Sequence, residues 1–440
     1  MDKDIGQSMR ARAMSPAQIM AVAICVVINM LDGFDVLAIA FVGPRLAAEW
    51  GLDPKTLGLL FSAGLFGMTI GSLVLAPMAD LLGRRTVILG GLSLITIGML
   101  LSALATGVTM LAALRLVTGI GIGTLFASLN TMTAEYASAR RRSLAIGILV
   151  IGYPIGATLG GMLAVWLIAH FGWQSVFIFG GAASALMLPL VYLLLPESLD
   201  YLMARRPARA LERVNKVLKR VRMAPLERLP DLATGVTASK SKSLLMVFSP
   251  AYLRGTLVIC ASYFSLMTSF YFILSWTPKV LVDLGLSEAL GISGAVLINV
   301  GGIAGGLLLG SLAQRWDVRA VTATFMIGSF AMMVVFGLLP PTAHVLMLGA
   351  VGLGLAIMAA MAGLYALVPL IFPANIRNTG TGLAIGIGRL GATVGPYVAG
   401  LLIAAGWQRD EYYTVLGIPF VIAAILVFLI GPRGARRELD

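Results

Sequence analysis

Long apolar stretches recur along the chain, separated by short polar ones. A helix needs ~20 apolar residues to cross the hydrocarbon core of a bilayer. Twelve stretches reach that length: Ile19–Val42, Thr56–Ala79, Thr86–Ala105, Val108–Met132, Ser143–Ile168, Gln174–Leu195, Leu253–Thr277, Ile292–Ala313, Ala320–Leu339, Val345–Val368, Thr379–Ala404 and Tyr412–Ile430. The pattern predicts an all-α membrane protein with twelve transmembrane helices. The first stretch is too long for a cleavable signal peptide, holds two aspartates, and has no small-residue cleavage site behind it. Glycine and proline inside the stretches are tolerated because neighbouring helices re-satisfy the backbone.

Twelve crossings put both termini on one side. Lys and Arg crowd that side: the tails, Arg84–Arg85, Arg140–Arg142, the central loop, Arg315, Arg319 and Arg377. The other face holds only Arg45, Lys55, Lys279 and Arg409. The positive-inside rule therefore makes both termini and the central loop cytoplasmic. The expected organisation is an N-terminal six-helix half (1–195), a cytoplasmic central loop (196–252) and a C-terminal six-helix half (253–440). Within the loop, Ala208–Arg222 reads as a basic surface helix: a tether in contact with anionic lipid, or a regulatory site.

The halves share short matches. Gly71–Asp80 parallels Gly305–Gln314, LAIGI at Leu144–Ile148 recurs at Leu383–Ile387, and GATLG at Gly156–Gly160 recurs as GATVG at Gly391–Gly395. The spacings are nearly equal. A duplicated unit around a central cavity is a transporter plan, and predicts two pseudo-symmetric six-helix bundles.

Composition agrees. The 440 residues are 59% hydrophobic and 12% charged, against roughly a quarter charged in soluble proteins. The 51 glycines read as close helix packing. The net charge of +12 belongs to the cytoplasmic loops, so nucleic acid is not an expected partner. Cys25 and Cys260 lie in apolar stretches, and His170 and His344 are far apart, so neither a disulfide framework nor a metal site is expected. No nucleotide loop or nucleophile triad is present, which argues against an enzyme and against ATP as the energy source. No cofactor is expected.

Ionisable residues inside the apolar stretches carry the chemistry. Asn29-Met-Leu-Asp32-Gly33-Phe34-Asp35 places two aspartates at i and i+3, with Asn29 one turn earlier. Two carboxylates that close in low dielectric do not both ionise, and their titrations interact, as a proton carrier requires. The alternative is aspartates bonded structurally to neighbouring helices. Arg115 opens the fourth stretch and costs at least ~2.5 kcal/mol to insert. It faces a partner or cavity, or snorkels to water. Arg389 lies near the middle of the eleventh stretch and needs a counter-ion, which its fork suits as a carboxylate. Asp35 or an anionic substrate would serve, as would a permanent aspartate pair. Flat apolar walls for a substrate could come from Phe34, Tyr263, Phe264, Tyr271, Trp276, Tyr365 and Tyr397, or these rings could be helix packing.

Ala76-Pro-Met-Ala-Asp80-Leu-Leu-Gly83-Arg84-Arg85 resembles the signature of the major facilitator superfamily, departing at Ala76 and Leu81. The glycine allows a tight turn, the arginines face the cytosol, and Asp80 can pair with a basic residue or helix end. Such a contact would lock one conformation. Arg115-Leu-Val-Thr-Gly119-Ile-Gly121-Ile-Gly123 matches a second superfamily pattern, whose arginine the resemblance links to proton coupling. Glu135 is expected as a further cytoplasmic gate partner. Ala157 stands where the antiporter signature has proline, which favours symport over export.

The Asp32-Gly-Phe-Asp35 element, Gly43-Pro44, Trp50-Gly51, Pro196-Glu197-Ser198, Ser275-Trp276-Thr-Pro278 and Gly388-Arg389-Leu-Gly391 resemble the bacterial aromatic acid:proton symporter family, over nearly the whole chain. The resemblance implies a multi-pass protein of the bacterial inner membrane, expected to act as a monomer, importing a small aromatic carboxylate with protons by alternating access. It implies proton coupling at Asp32, Asp35 and Arg115, substrate binding at Arg389 with Asn29 and the aromatic side chains, and a gate of Asp80, Gly83, Arg84, Arg85 and Glu135. Rival readings are an exporter or antiporter of organic anions or drugs, and a transceptor signalling through the central loop.

Overall fold

Each of the twelve apolar stretches is a helix in the computed structural model, which describes residues 9, 11–229, 246–373 and 376–429. The charged tails that weigh in the sidedness count lie mostly outside these residues. The helices long and apolar enough to cross a membrane are α1 (Pro16–Trp50), α2 (Pro54–Leu82), α3 (Arg84–Ser102), α4 (Val108–Tyr136), α5 (Ala139–Phe171), α6 (Gln174–Leu194), α7 (Leu253–Asp283), α8 (Glu288–Leu312), α9 (Val318–Leu338), α10 (Ala343–Ile371), α11 (Thr379–Ala404) and α12 (Arg409–Phe428). Several outrun their apolar stretches. α1 continues through Pro44 to Trp50, and α4 continues through Glu135 to Tyr136. A helix need not stop where the hydrocarbon does, since its backbone stays satisfied in either solvent.

Start and stop signals are local. Pro16 and Pro54 open α1 and α2, where a missing N–H costs nothing. Beside Pro54, Asp53 accepts from the Thr56 hydroxyl, which holds its carboxyl below the usual carboxylate range. The turns that follow α1, α5, α7 and α11 each carry a glycine at positive φ: Gly51, Gly172, Gly285 and Gly406. This is the left-handed helix stop that glycine adopts without strain.

Those four turns repeat the internal likeness, Gly51 with Gly285 and Gly172 with Gly406. Interhelical contacts repeat it too. A Cβ at Gly67 of α2 would overlap the Leu116 carbonyl of α4, and one at Gly301 of α8 would overlap the Val351 carbonyl of α10. Likewise Gly156 of α5 meets the Met30 carbonyl of α1, and Gly391 of α11 meets the Phe264 carbonyl of α7. Without a hydrophobic force between helices in lipid, such close backbone approach supplies the attraction.

Contacts divide the chain into two compact units. Unit 1 is 1–36, 67–160 and 174–234; unit 2 is 37–66, 161–173 and 235–440. Unit 2 therefore gathers the last six helices together with the second part of α1, the first part of α2 and the end of α5. Within it Gly58 of α2 meets α11, its Cβ position lying 2.8 Å from the Pro396 carbonyl oxygen and 3.2 Å from Gly400 Cα. Also within it, Glu49 accepts from Trp173 Nε1 at 2.8 Å and pairs with Arg45 at 2.9 Å, while Arg45 lies 3.7 Å from Glu288.

Candidate functional site

In unit 1 the polar centre lies where α1, α3, α4 and α6 meet. Arg115 is buried, and one of its terminal nitrogens donates to Thr118 Oγ1 at 2.9 Å, Ser102 Oγ at 3.1 Å and Met99 Sδ at 2.9 Å. Its guanidinium stands 4.7 Å from the centre of the Phe177 ring. The fork thus reaches inward to a built cradle, instead of snorkelling to water.

Arg115 is the cation facing Asp35, with Ser184 of α6 beside it. Asp35 is buried, and neither of its carboxylate oxygens has a hydrogen-bond partner among the described residues. Gly180 makes room for it: a Cβ there would lie 2.6 Å from Asp35 Oδ1. An unmet buried oxygen costs about 1–3 kcal/mol. Asp32 is buried one turn earlier. Asn29 donates one amide N–H to the Leu149 carbonyl at 2.6 Å, tying α1 to α5. Phe34 is buried edge-on to Phe179, ring centres 5.6 Å apart.

A second polar cluster of unit 1 joins the α2–α3 turn to the end of α6. Asp80 pairs with Arg84 at 3.1 Å, and its carbonyl accepts from Arg205 Nε at 3.0 Å. Gly83 adopts φ +99°, which a side chain would resist. Glu197 fills the space this leaves. It accepts from the Arg85 N–H at 3.0 Å and from the Ser198 N–H at 2.9 Å. Arg85 also donates to the Tyr192 carbonyl and lies over the Tyr192 ring. Tyr136, at the end of α4 next to buried Glu135, donates its hydroxyl to the Glu197 carbonyl at 2.7 Å.

In unit 2 Arg389 is half-buried on α11, and its Nε has no hydrogen-bond partner among the described residues. Its neighbour Gly388 lies against Tyr263 and Met267, so the glycine face of α11 presses on α7. Tyr365 of α10 lies within electrostatic reach of Arg389 and Tyr271. It packs edge-on against Tyr263, centres 5.7 Å apart, and remains 40% exposed. Tyr263 is fully buried, and its hydroxyl lacks a partner among the described residues. Trp276 is placed differently. It is 1% exposed, donates Nε1–H to the Pro396 carbonyl at 2.9 Å and packs edge-on against Phe61. Among the described residues no three of His, Cys, Asp or Glu gather as a metal site would require.

The sequence matches the Major Facilitator Superfamily over residues 24–358 and 295–439. The gallate transporter of Pseudomonas putida is 34% identical over 96% of this chain and 93% of its own. The 4-hydroxybenzoate transporter PcaK of Acinetobacter baylyi is 32% identical over 92% of this chain and 89% of its own. The chain belongs to the major facilitator superfamily, among its aromatic acid transporters. It is a multi-pass membrane transporter and not an enzyme. The superfamily fold is matched by the solved D-xylose-proton symporter, with TM-score 0.73 and 18% identity over 95% of this chain and 98% of that one.

Of the residues singled out in the sequence, unit 1 brings Asp35 and Arg115 face to face and pairs Asp80 with Arg84 beside Gly83 and Arg85. Unit 2 brings Arg389, Tyr263, Tyr365 and Tyr271 into one neighbourhood. Three side chains of these clusters were not site candidates in the sequence. Ser102 and Thr118 hold Arg115, and Glu197 holds the α2–α3 turn. Glu197 carried a usable signal, an acid between proline and serine at the end of an apolar stretch. The serine and threonine carried none.

Proposed function

We propose that this protein is a proton-coupled symporter that imports a small aromatic carboxylate by alternating access. Asp35 is the proton carrier, with Asp32 on the same face. Arg115 is its counter-charge. Arg389 receives the substrate carboxylate, while Tyr263, Tyr365 and Tyr271 flank the ring. The names of the relatives support the substrate class: gallate, 4-hydroxybenzoate, 3-(3-hydroxy-phenyl)propionate and benzoate.

The observation that carries proton coupling is the Asp35 carboxylate, buried, with neither oxygen in a hydrogen bond of good geometry among the described residues, and facing a cradled Arg115. Ionised, Asp35 and Arg115 hold each other, and removing one charge of such a pair costs about 3–5 kcal/mol. Protonation neutralises Asp35 and releases that hold, so the proton's arrival changes which packing of the helices is favoured. At the cytoplasmic face, where the pH is higher, the proton leaves and the pair re-forms. Each pH unit supplies ~1.4 kcal/mol per proton. One proton with one monoanion moves no net charge; a second proton would draw ~2.3 kcal/mol per 100 mV from the membrane potential.

Alternating access is supported by the make-up of unit 2. The second part of α1, the first part of α2 and the end of α5 group with the C-terminal helices, as expected when the two six-helix halves meet at the periplasmic side. In this reading the protein sits in the inner membrane with both termini cytoplasmic, and the Asp80–Glu197 cluster is the inner gate.

The test is uptake of labelled 4-hydroxybenzoate or gallate into proteoliposomes. An acidic exterior should drive accumulation by the wild type. Asp35→Asn should abolish accumulation while keeping counterflow, the exchange of labelled for unlabelled substrate. Accumulation by Asp35→Asn at the wild-type level would remove Asp35 from the mechanism. Accumulation driven outward by the same gradient would make the protein an antiporter.

A further inference from the structure

Ser184 of α6 is fully buried, and its Oγ makes no hydrogen bond among the described residues. A hydroxyl on a membrane helix often donates to the carbonyl four residues back; Ser184, like the buried Ser62 and Ser128, does not. In this chain Ser102 donates to the Gly98 carbonyl at 2.6 Å, Ser262 to Val258 at 2.8 Å and Ser329 to Phe325 at 2.7 Å. What sets Ser184 apart is its neighbour: its hydroxyl lies beside the Asp35 carboxylate and within its influence, although no hydrogen bond of good geometry joins them among the described residues. One turn earlier on the same helix, Gly180 is the residue whose missing side chain admits Asp35 Oδ1. The α6 face toward Asp35 is thus a gap followed by a hydroxyl.

Among the described residues, Arg115 is the charged group recorded as acting on Asp35. α3 presents Met99, which approaches Gly180 from the same side. α5 presents the Tyr153 carbonyl and the Ala157 N–H to Gly33. On α1 itself Asp32 is buried one turn away.

We propose that Ser184 is a positioning residue for proton release: its hydroxyl turns to donate to Asp35 as the carboxylic proton leaves. This rests on Asp35 being the proton carrier. In the step, the Asp35 O–H bond breaks, the proton passes to cytoplasmic water, and the electron pair stays on the carboxylate. Arg115 then faces that charge from α4 and the Ser184 O–H donates to it from α6. Arg115 is already committed to Thr118, Ser102 and Met99. A second donor lets the carboxylate ionise without pulling Arg115 from its cradle. Charge-assisted hydrogen bonds are the stronger kind, so losing one should slow ionisation about tenfold or more.

The experiment compares wild type, Ser184→Ala, Ser184→Thr and Asp35→Asn in proteoliposomes with labelled 4-hydroxybenzoate. Accumulation under a pH gradient requires net proton release inside; counterflow does not. Ser184→Ala should keep counterflow at the wild-type rate and lose about tenfold in the initial rate of accumulation. Raising the internal pH by about one unit should restore it, because a tenfold deficit in ionisation equals one pH unit. Ser184→Thr, which keeps the hydroxyl, should accumulate like wild type. The proposal is overturned if Ser184→Ala accumulates normally at every internal pH. It is equally overturned if that variant loses counterflow together with accumulation while Ser184→Thr retains both. Either result leaves Asp35→Asn to report separately on the proton carrier. Only normal accumulation by Asp35→Asn would bring down the reading beneath.

Discussion

Glu197 occupies the space that a side chain at Gly83 would need, its carboxylate lying over the open face of the glycine. One acid at the end of α6 thereby reads the backbone of the α2–α3 turn, which it also grips through the Arg85 N–H. Gly83→Ala meets two penalties: a φ of +99° and the Glu197 carboxylate. A residue held in so sparse a region costs about 1–3 kcal/mol. Uptake by Gly83→Ala should fall about tenfold at wild-type membrane abundance, read from initial rates in whole cells normalised to immunoblots. Glu197→Ala should relieve the contact and recover part of the rate in the double variant. Wild-type uptake by Gly83→Ala alone would remove this turn from the gate.

Trp276 was a candidate ring wall by sequence, and its placement gives it a packing role. Its indole N–H is taken by the Pro396 carbonyl, and its ring is closed off by Phe61. Trp276→Phe removes one buried hydrogen bond to a helix carbonyl and some packed ring surface, a loss of about 0.5–1.5 kcal/mol for the bond alone. The purified variant should melt several degrees lower in detergent. Its KM for an aromatic acid should stay at the wild-type value. A raised KM with unchanged melting would return Trp276 to the substrate site.

What the sequence made legible follows from the solvent. Lipid penalises charge so heavily that Asp32, Asp35, Arg115 and Arg389 stand out from their apolar stretches without any structure. The twelve helices follow from the same penalty, applied to the backbone. The repeat was visible as GATLG and GATVG, because close helix packing dictates small residues at fixed positions. Ser184 and Thr118 were not legible. A hydroxyl on a membrane helix is cheap, and only its neighbours across the packing decide whether it bonds its own helix or serves another. Asn29 shows the converse: its position beside the aspartates suggested substrate, and the structure adds a tie the sequence did not show, one N–H donated to the Leu149 carbonyl.

Arg389 has a terminal role if the substrate is its partner. Arginine offers a carboxylate two parallel hydrogen bonds, which lysine cannot reproduce. Arg389→Lys should raise the KM for 4-hydroxybenzoate about tenfold with kcat little changed, the signature of lost uniform binding. Arg389→Ala should abolish measurable uptake. If Arg389→Lys lowers kcat and leaves KM untouched, the guanidinium acts in the conformational cycle and the carboxylate binds elsewhere.

The crossing of α2 and α11 offers a handle on the cycle itself. At Gly58 and Gly400 the contact is backbone on backbone: a Cβ at Gly58 lies 2.8 Å from the Pro396 carbonyl oxygen, and one at Gly400 lies 2.6 Å from the Pro54 carbonyl oxygen. No rotamer relieves such a clash, so Gly58→Val or Gly400→Val must separate the two helices. Gly306 is the control, since no described residue stands within 4 Å of its Cβ position. Each valine variant should cut uptake to about a tenth or less, the scale of a few kcal/mol of overpacking. The same variants should expose Phe61, which is buried against Trp276. A cysteine at residue 61, with Cys25 and Cys260 changed to serine, should then react faster with a membrane-impermeant thiol reagent. Gly306→Ala should change neither rate. Slow labelling in the valine variants, alongside lost uptake, would mean that the helices shift without opening and that the Gly58–Gly400 crossing is structural alone.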